Sequence, residues 1–552
     1  MVEGQGHADV DETRLSPTEQ FYFNLYTKHK QSTALLLYTD VYFNGLSLRF
    51  DEVLEILKLA ISAQPIAHTG FETIQHGGST ITPSVRRKIL STKQALDYNI
   101  VDKLDDEMQS LDKCFGDFDL SKHGPVRFTF ATKPFLSIRF IFHRVGFDFR
   151  AAQLFVEGFI DIMKIMGKRK TIFDLRCDHT RSAFQALDRY LTSNDSPLKQ
   201  LWSKQLLKRI RKSTFSTTKR NVKKFNHRIH TAYLSFSSFT SRKILYTTIC
   251  TKTTLLCLVT SLYQLLLSFY SRNKYVTVTM ESDQRRLIAD ADAQNTVESM
   301  TNLIPIVSTI PPKSTPLYSF ISGNEGIITE CMSMAAFPYI QIEQLANKSS
   351  RKQLNRHLVR NRCTETIRQD TIQMTPIKEA GMFQETCLNF YYDHERDILK
   401  IQLQALMDVY LLEETTSILQ KFARMLRIVG RDERITINEM KDYILKDKHF
   451  MILNDIFVKV GDNGNSCKGN LALSDNEETG TSLIWTTENQ TPEFIPFKAI
   501  SNIHIITKEG GKALWIKTAR DEEHTFVFTS ENRVNIWVKR LEEIVNWGIT
   551  HV

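Results

Sequence analysis

TKTTLLCLVTSLYQLLLSFYS, residues 251–271, is the stretch on which the reading of the chain turns. From Thr253 to Ser271 nineteen residues pass without a formal charge, and leucine dominates them. A hydrocarbon core of about 30 Å takes about 20 such residues in helical form. A helix that is apolar all round suits either a bilayer or a protein interior, and here the flanks favour the bilayer. Tyr263, Tyr270 and Tyr275 offer aromatic anchors, Arg272 and Lys274 follow at once, and thirteen basic residues between Lys199 and Lys243 precede. The expectation is a transmembrane helix over 244–271. Leu255, Leu256, Leu258, Val259, Leu262, Leu265, Leu266 and Leu267 would lie among acyl chains; the basic flank puts the N-terminal side in the cytosol, and a single crossing and a re-entrant or hairpin insertion both stay open.

Charge is distributed to match. Of 552 residues, 71 are Lys or Arg and 62 are Asp or Glu, a net charge of +9. No acidic residue occurs between Ser196 and Met280, where sixteen basic ones gather; without them the chain would carry −7. Such a block wants phosphates. Lys208, Arg209, Arg211, Lys212, Lys219, Arg220, Lys223 and Lys224 are therefore expected to face anionic lipid, with His227 and His230 turned toward the same headgroups. Nucleic acid is not expected, because finger and helix-turn-helix spacings are absent and no aromatic residues interleave the basic ones.

The remaining text divides around that centre. A polar, acidic leader (1–19) precedes a helical N-terminal domain (20–198), in which FDEVLEILKL (50–59) and FVEGFIDIMKIMGKRK (155–170) carry apolar residues at helical spacing. The basic juxtamembrane segment is 199–243. After the span, 272–392 reads as linker with short helices, broken by STIPPKSTP (308–316), and RKQLNRHLVRNR (351–362) reads as a solvated basic helix face. Periodicity returns over 393–449 as a long amphipathic helix stopping at Gly430. It has two apolar stripes, one of which (Val409, Leu412, Leu419) is free for a partner's groove. The eight cysteines form no CxxC pair, and the plain reading is reduced thiols facing the cytosol or nucleus.

Residues 450–552 read as seven strands closed by one amphipathic helix carrying Val534, Trp537 and Leu541. FVKVG, LALS…SLIW, FIPFKAISNI, LWIKT and HTFVFTS, followed by a helix bearing Trp537, resemble a pleckstrin-homology domain. That resemblance implies a small barrel plugged by its helix and assigns Lys459 and Lys468 to phosphoinositide phosphates, although Asn470 and Asp462 depart from the pattern. The fold class expected is thus multidomain α+β: a helical N-terminal region, one membrane-inserted helix, a long helix and a C-terminal pleckstrin-homology-like barrel.

Two whole-chain layouts are similar. One is that of the fungal peroxisome-inheritance receptors, vezatin-like membrane proteins that hand an organelle to a class V myosin. The other is that of the engulfment-and-motility adaptors, which partner exchange factors for Rho-type GTPases. The first accounts for the span and ranks ahead. It implies a membrane-anchored, non-enzymatic receptor on an organelle such as the peroxisome, facing the cytosol and binding a motor tail. The alternative is a cytoplasmic subunit of an exchange factor. No G-x-x-x-x-G-K-[ST], G-x-G-x-x-G, H-E-x-x-H or G-x-S-x-G occurs, so neither catalytic residues nor cofactor nor metal are expected.

Overall fold

The fold was analysed in a computed structural model of the chain. It describes residues 14–30, 32–43, 49–74, 84–104, 118–133, 135–167, 179–206, 210–215, 227–288, 292–362, 367–369, 372–430 and 435–445. Toward the C-terminus it describes 454–460, 466–476, 480–487, 493–496, 500–508, 511–519, 522–528, 534, 535, 537 and 538.

The first lobe begins with α1 (Pro17–Lys28), held at its start by a reciprocal cap between Ser16 and Glu19. Then follow β1 (Leu36–Phe43), α2 (Phe50–Ala63), β2 (Thr69–Ile74), β3 (Ser84–Ile89), α3 (Thr92–Ala95) and β4 (Tyr98–Val101). β5 (Val126–Ala131), β6 (Ser137–His143), α4 (Phe149–Gly167) and α5 (His179–Leu206) complete this stretch. The helical domain expected over 20–198 is therefore mixed, since its Phe-rich text is strand. In β5 and β6 large apolar residues recur at every second position, and Phe128, Phe130, Ile138, Phe140 and Phe142 are wholly buried. α4 lays Phe155 and Phe159 against Phe140. Arg139, on the other face of β6, forms a two-pronged pair with Asp40 of β1 at 2.7 and 2.8 Å.

The second lobe comprises β7 (Ile229–Ser235), α6 (Ser238–Thr251), α7 (Leu255–Ser271), β8 (Tyr275–Asp283), β9 (Thr301–Thr309), α8 (Leu317–Ser333), α9 (Tyr339–Leu345), α10 (Lys348–Leu354) and β10 (His357–Asn361). The chain then crosses back as β11 (Ile367–Gln369), β12 (Ile372–Met374) and β13 (Lys378–Glu379), and returns as β14 (Thr386–Asp393), β15 (Ile398–Leu406), α11 (Leu412–Val429) and α12 (Ile437–Leu445). The first sheet runs β11-β12-β1-β6-β5-β4, with β13 also on β1; the second runs β7-β15-β14-β10-β8-β9. In the second, β10 lies parallel to both β8 and β14, and the other pairs are antiparallel. Residues from 367 to 379 thus finish the first sheet from within the second.

The expected membrane helix is the core of the second lobe. Leu258, Val259, Leu262, Leu265, Leu266 and Leu267 are fully buried, and Leu255 and Leu256 pack partly buried on the same core. α7 sits against β8, α8 and α11. Its polar atoms are satisfied by protein: Gln264 donates to the Ile306 carbonyl at 3.0 Å and accepts from Ser308 and Asn324, and the Tyr263 hydroxyl meets Thr386 at 2.6 Å. Among the described residues no single helix is long and apolar enough to cross a membrane. α6 and α7 meet length and composition only together, and they bend by 95° at Lys252–Thr254, where Lys252 takes a left-handed cap. An all-apolar helix with hydrogen-bonded glutamine and tyrosine has found a protein interior, not a bilayer.

The long helix is also corrected. Its first half is β15, whose Leu399, Ile401, Leu403 and Ala405 are buried at period two; helix begins only at Leu412. Within the proposed partner stripe Leu419 is buried in the core, Val409 packs against it, and only Leu412 is exposed. Residues 272–392 supply β8, β9, β10 and β14 of the second sheet.

β16 (Asn454–Val460), β17 (Ser466–Asn476), β18 (Gly480–Thr487), β19 (Glu493–Pro496), β20 (Ile500–Lys508), β21 (Gly511–Thr518) and β22 (Glu523–Phe528) form one antiparallel sheet. Its order is β19-β18-β17-β16-β22-β21-β20, and Val534 and Trp537 are buried. Strands were expected here, but among the described residues the end strands β19 and β20 do not pair and the sheet is not closed into the expected barrel; most of the expected closing helix lies outside the described residues.

Candidate active site

The two lobes meet where β6 ends. A five-residue turn, Arg144 to Asp148, joins that strand to α4, and its tightness is imposed by neighbours. A Cβ on Gly146 would stand 2.6 Å from Pro125 Cγ. His143, the last strand residue, accepts the Val145 backbone N–H on Nδ1 at 3.2 Å and is enclosed by Tyr26 and Phe118. Burial pushes its imidazole down to about 3, so it stays neutral and structural.

Asp148 opens α4 and reaches across the seam. Its carboxylate accepts the Ala151 N–H of its own helix at 2.8 Å, the Met300 N–H at 2.8 Å and the Thr301 hydroxyl at 3.0 Å. It pairs at two points with the Arg285 guanidinium, at 2.9 and 3.2 Å, and that side chain is itself fully buried. Burial opposes its charge, but Arg285 and the backbone donors outweigh burial and hold the carboxyl below its usual range. Arg285 also donates to the carbonyls of Thr296 and Glu298, tying the turn to the 284–300 segment of the second lobe. Close by, Arg87 of β3 pairs with Glu298 at 3.0 Å and with Glu19 of α1 at 2.8 Å.

Arg144 points into the seam. It donates to Glu379 at 3.1 Å and to Glu281 at 3.4 Å, while its backbone N–H bonds the Leu35 carbonyl. Arg360 grips the same Glu379 with two bonds, 2.7 and 3.0 Å, and lies 2.7 Å from Glu281. Burial opposes the Glu379 charge, but Arg360 and Arg144 overcome it and draw the carboxyl down to about 2. Glu281 is the more open of the two carboxylates, 13% exposed against 1%. The turn after β6 and strand β13 of the first sheet, with β8 and β10 of the second, thus bring two arginines and two glutamates to one point.

Few of the expected site residues lie here. Of the anionic-lipid set, Arg211 and Lys212 are exposed, and Lys208, Arg209, Lys219, Arg220, Lys223 and Lys224 lie outside the described residues. Lys459 and Lys468 fall on β16 and β17. His227 meets the Ser32 hydroxyl at 2.9 Å rather than a headgroup. The supposed solvated helix face at 351–362 is half strand, and its Arg360 is buried. A signal was present in RFIFHRVGFDFR (139–150): His, Arg and Asp interrupt otherwise buried apolar text at a strand-to-helix junction. Among the described residues no group of His, Cys, Asp and Glu could hold a metal.

Solved structures share the two-lobe fold. The starter condensation domain of rhizomide synthetase, an arginine-to-alanine variant in complex with C8-CoA, is 12% identical with a TM-score of 0.61, covering 77% of this chain and 96% of that one. The first condensation domain of the calcium-dependent antibiotic synthetase, in complex with a substrate analogue, gives 13% and 0.62 over 78% and 99%. The X-domain from teicoplanin biosynthesis gives 12% and 0.64 over 79% and 98%. Among curated proteins none matches the chain. The model of the condensation domain matches residues 88–444, running unbroken through the intervals read as basic flank, span and linker. That match overturns the whole-chain resemblances to peroxisome-inheritance and engulfment-and-motility proteins. The myosin and exchange-factor partners, the organelle-membrane location and the non-enzymatic adaptor role fall with them. The match ends at residue 444, and the barrel expected from the pleckstrin-homology resemblance over 450–552 is corrected by the end strands β19 and β20, which do not pair among the described residues. With more than half of its length matched, the chain belongs to the condensation-domain family.

Proposed function

We propose that the chain transfers an acyl group from a thioester to an amine, forming an amide, with the reacting carbonyl seated in the seam between the two sheets. The donor would be a thioester held on a carrier protein, the substrate form used in nonribosomal peptide synthesis. The observation that carries this reading is Arg144, brought by the β6–α4 turn of a condensation-domain fold into a buried seam shared with Glu281, Glu379 and Arg360.

In the step proposed, the amine nitrogen attacks the thioester carbonyl, a C–N bond forms, and the carbonyl oxygen becomes an oxyanion. The Arg144 guanidinium supplies fixed positive charge for it in a water-poor setting, where one such donor contributes about 10²–10³ in rate. Glu281, the carboxylate open to the seam, takes the proton that the amine loses. As the C–S bond breaks, that proton goes to the departing thiolate, so the products are an amide and a thiol. The imidazole of His143 takes no part, because it is enclosed and its Nδ1 is engaged.

The test uses the full chain with medium-chain acyl thioesters and amino-acid amines, following free thiol and amide together. Transfer should fall about 10²-fold or more in Arg144→Ala and in Glu281→Gln. Undiminished transfer in both variants, or none in the unaltered chain with carrier-bound donors, refutes the assignment.

A further inference from the structure

The seam holds more positive than negative charge. Three guanidinium groups surround the ring of Phe149, the first residue of α4: Arg144 at 5.1 Å, Arg360 at 5.2 Å and Arg362 at 3.1 Å from its centre. The two carboxylates facing them, Glu281 and Glu379, are both engaged by Arg144 and Arg360. Among the described residues the Arg362 guanidinium donates only to the Ile377 carbonyl, at 2.5 Å, and lies on the Phe149 ring; it feels Glu379 and Glu281, but the direct ion pairs of those carboxylates are with Arg144 and Arg360. The Nε of Arg360 is buried without an acceptor, and the side chain is 2% exposed. The helix start adds the positive end of α4 to the same spot. Burial, with Arg360 beside it, pulls the Arg362 guanidinium down to about 9 and outweighs the opposing charges of Glu379 and Glu281.

We propose that the seam binds a carboxylate carried by one of the two substrates, gripped by Arg362 and by the free Nε–H of Arg360. A carboxylate fits better than a phosphate on two grounds. Its single charge cancels the excess of one left by three arginines and two glutamates, whereas a dianion would overshoot. Its two oxygens also match the flat donor fork of a guanidinium. Arg362 is half-buried, so one side of it is open to an arriving group. The substrate part of this proposal rests on the acyl-transfer reading; the anion site rests on the charge count alone.

Calorimetric titration and melting curves on the full chain test the site, with the monoanion succinamate as probe, succinamide as its neutral counterpart and inorganic phosphate at pH 8 as the dianion. Succinamate should bind and raise the melting temperature, and succinamide should not. Arg362→Met should weaken succinamate at least tenfold while melting, without ligand, at or above the parent temperature, because an uncompensated charge has gone. A ligand-free melting temperature well below the parent would mark a purely structural arginine and overturn the proposal, as would phosphate binding tighter than succinamate. Arg362→Lys, which keeps the charge but not the fork, should bind succinamate weakly; full binding there refutes the two-pronged grip. To place the carboxylate, succinyl and butanoyl thioesters are compared as donors, and amino acids with their amides as acceptors. A tenfold preference in kcat/KM for the carboxylate on one side, lost in Arg362→Met, assigns it to that side. Transfer without preference on either side overturns the substrate assignment alone. No transfer with any pair, alongside Arg362-dependent succinamate binding, sinks the acyl-transfer reading and leaves the anion site standing.

Discussion

Replacing Asp148 with asparagine strikes the joint between the lobes. The substitution leaves the Arg285 guanidinium, whose side chain is 0% exposed, facing a neutral amide, and it weakens the acceptor that Met300 and Thr301 share. Removing one partner of a buried, multiply bonded ion pair costs about 3–5 kcal/mol, because the remaining charge stays buried. Arg285→Met alone should cost a similar amount. The double variant should recover about 1–3 kcal/mol of the summed loss, since a neutral amide beside methionine strands no charge. Urea unfolding followed by circular dichroism measures all three. The pH dependence has a definite sign. The Asp148 carboxyl titrates lower folded than unfolded, so its contribution is complete above about 3.9, the ordinary carboxylate value, and fades as pH falls through the folded value. The parent should therefore lose more stability than Asp148→Asn on acidification below about pH 4. A loss under about 1 kcal/mol for Asp148→Asn, or strict additivity in the double variant, refutes the idea that this pair locks the seam.

Two further outcomes are expected. Gln264→Leu strands the Ile306 carbonyl and the Asn324 amide inside the second lobe and should cost about 1–3 kcal/mol, whereas a bilayer-facing position would gain from leucine; a raised urea midpoint contradicts the interior assignment. Glu379→Gln should flatten the loss of stability between about pH 4.3, where an unfolded glutamate titrates, and about 2, where this one does; acid unfolding profiles identical to the parent would show that its pairs with Arg144 and Arg360 contribute nothing.

How much of this was legible in the sequence differs from element to element. The helix at Phe50 was plain, because Val53, Ile56, Leu57 and Ala60 keep helical spacing on a half-exposed element. The end at Ser271 was legible, but the one helix expected over 244–271 is the end of α6 and then α7, bent at Lys252–Thr254, and its surroundings were misjudged. Periodicity cannot separate a bilayer from a leucine-filled lobe, and the partners that make Gln264 comfortable, Ser308 and Asn324, lie 44 and 60 residues away. β15 was mistaken for helix because Leu399, Leu403 and Leu406 fall at helical spacing, although Leu399, Ile401, Leu403 and Ala405 alternate at period two over the same short run. The seam itself could not be read, since Arg144 comes from a turn after β6 and Glu281, Arg360 and Glu379 come from strands more than 130 residues further on, in two different sheets. Each alone looks like a surface charge; topology alone makes them neighbours.

The return of β12 and β13 to β1 also sets a timetable for synthesis. Val41 waits for Met374, and Leu37 for Glu379, while more than three hundred intervening residues leave the ribosome. Until then one edge of the first sheet has no strand to complete it, and any fragment ending before the crossover inherits that bare edge. Halves of this molecule made apart should therefore be sticky and short-lived, and should regain solubility only when expressed together.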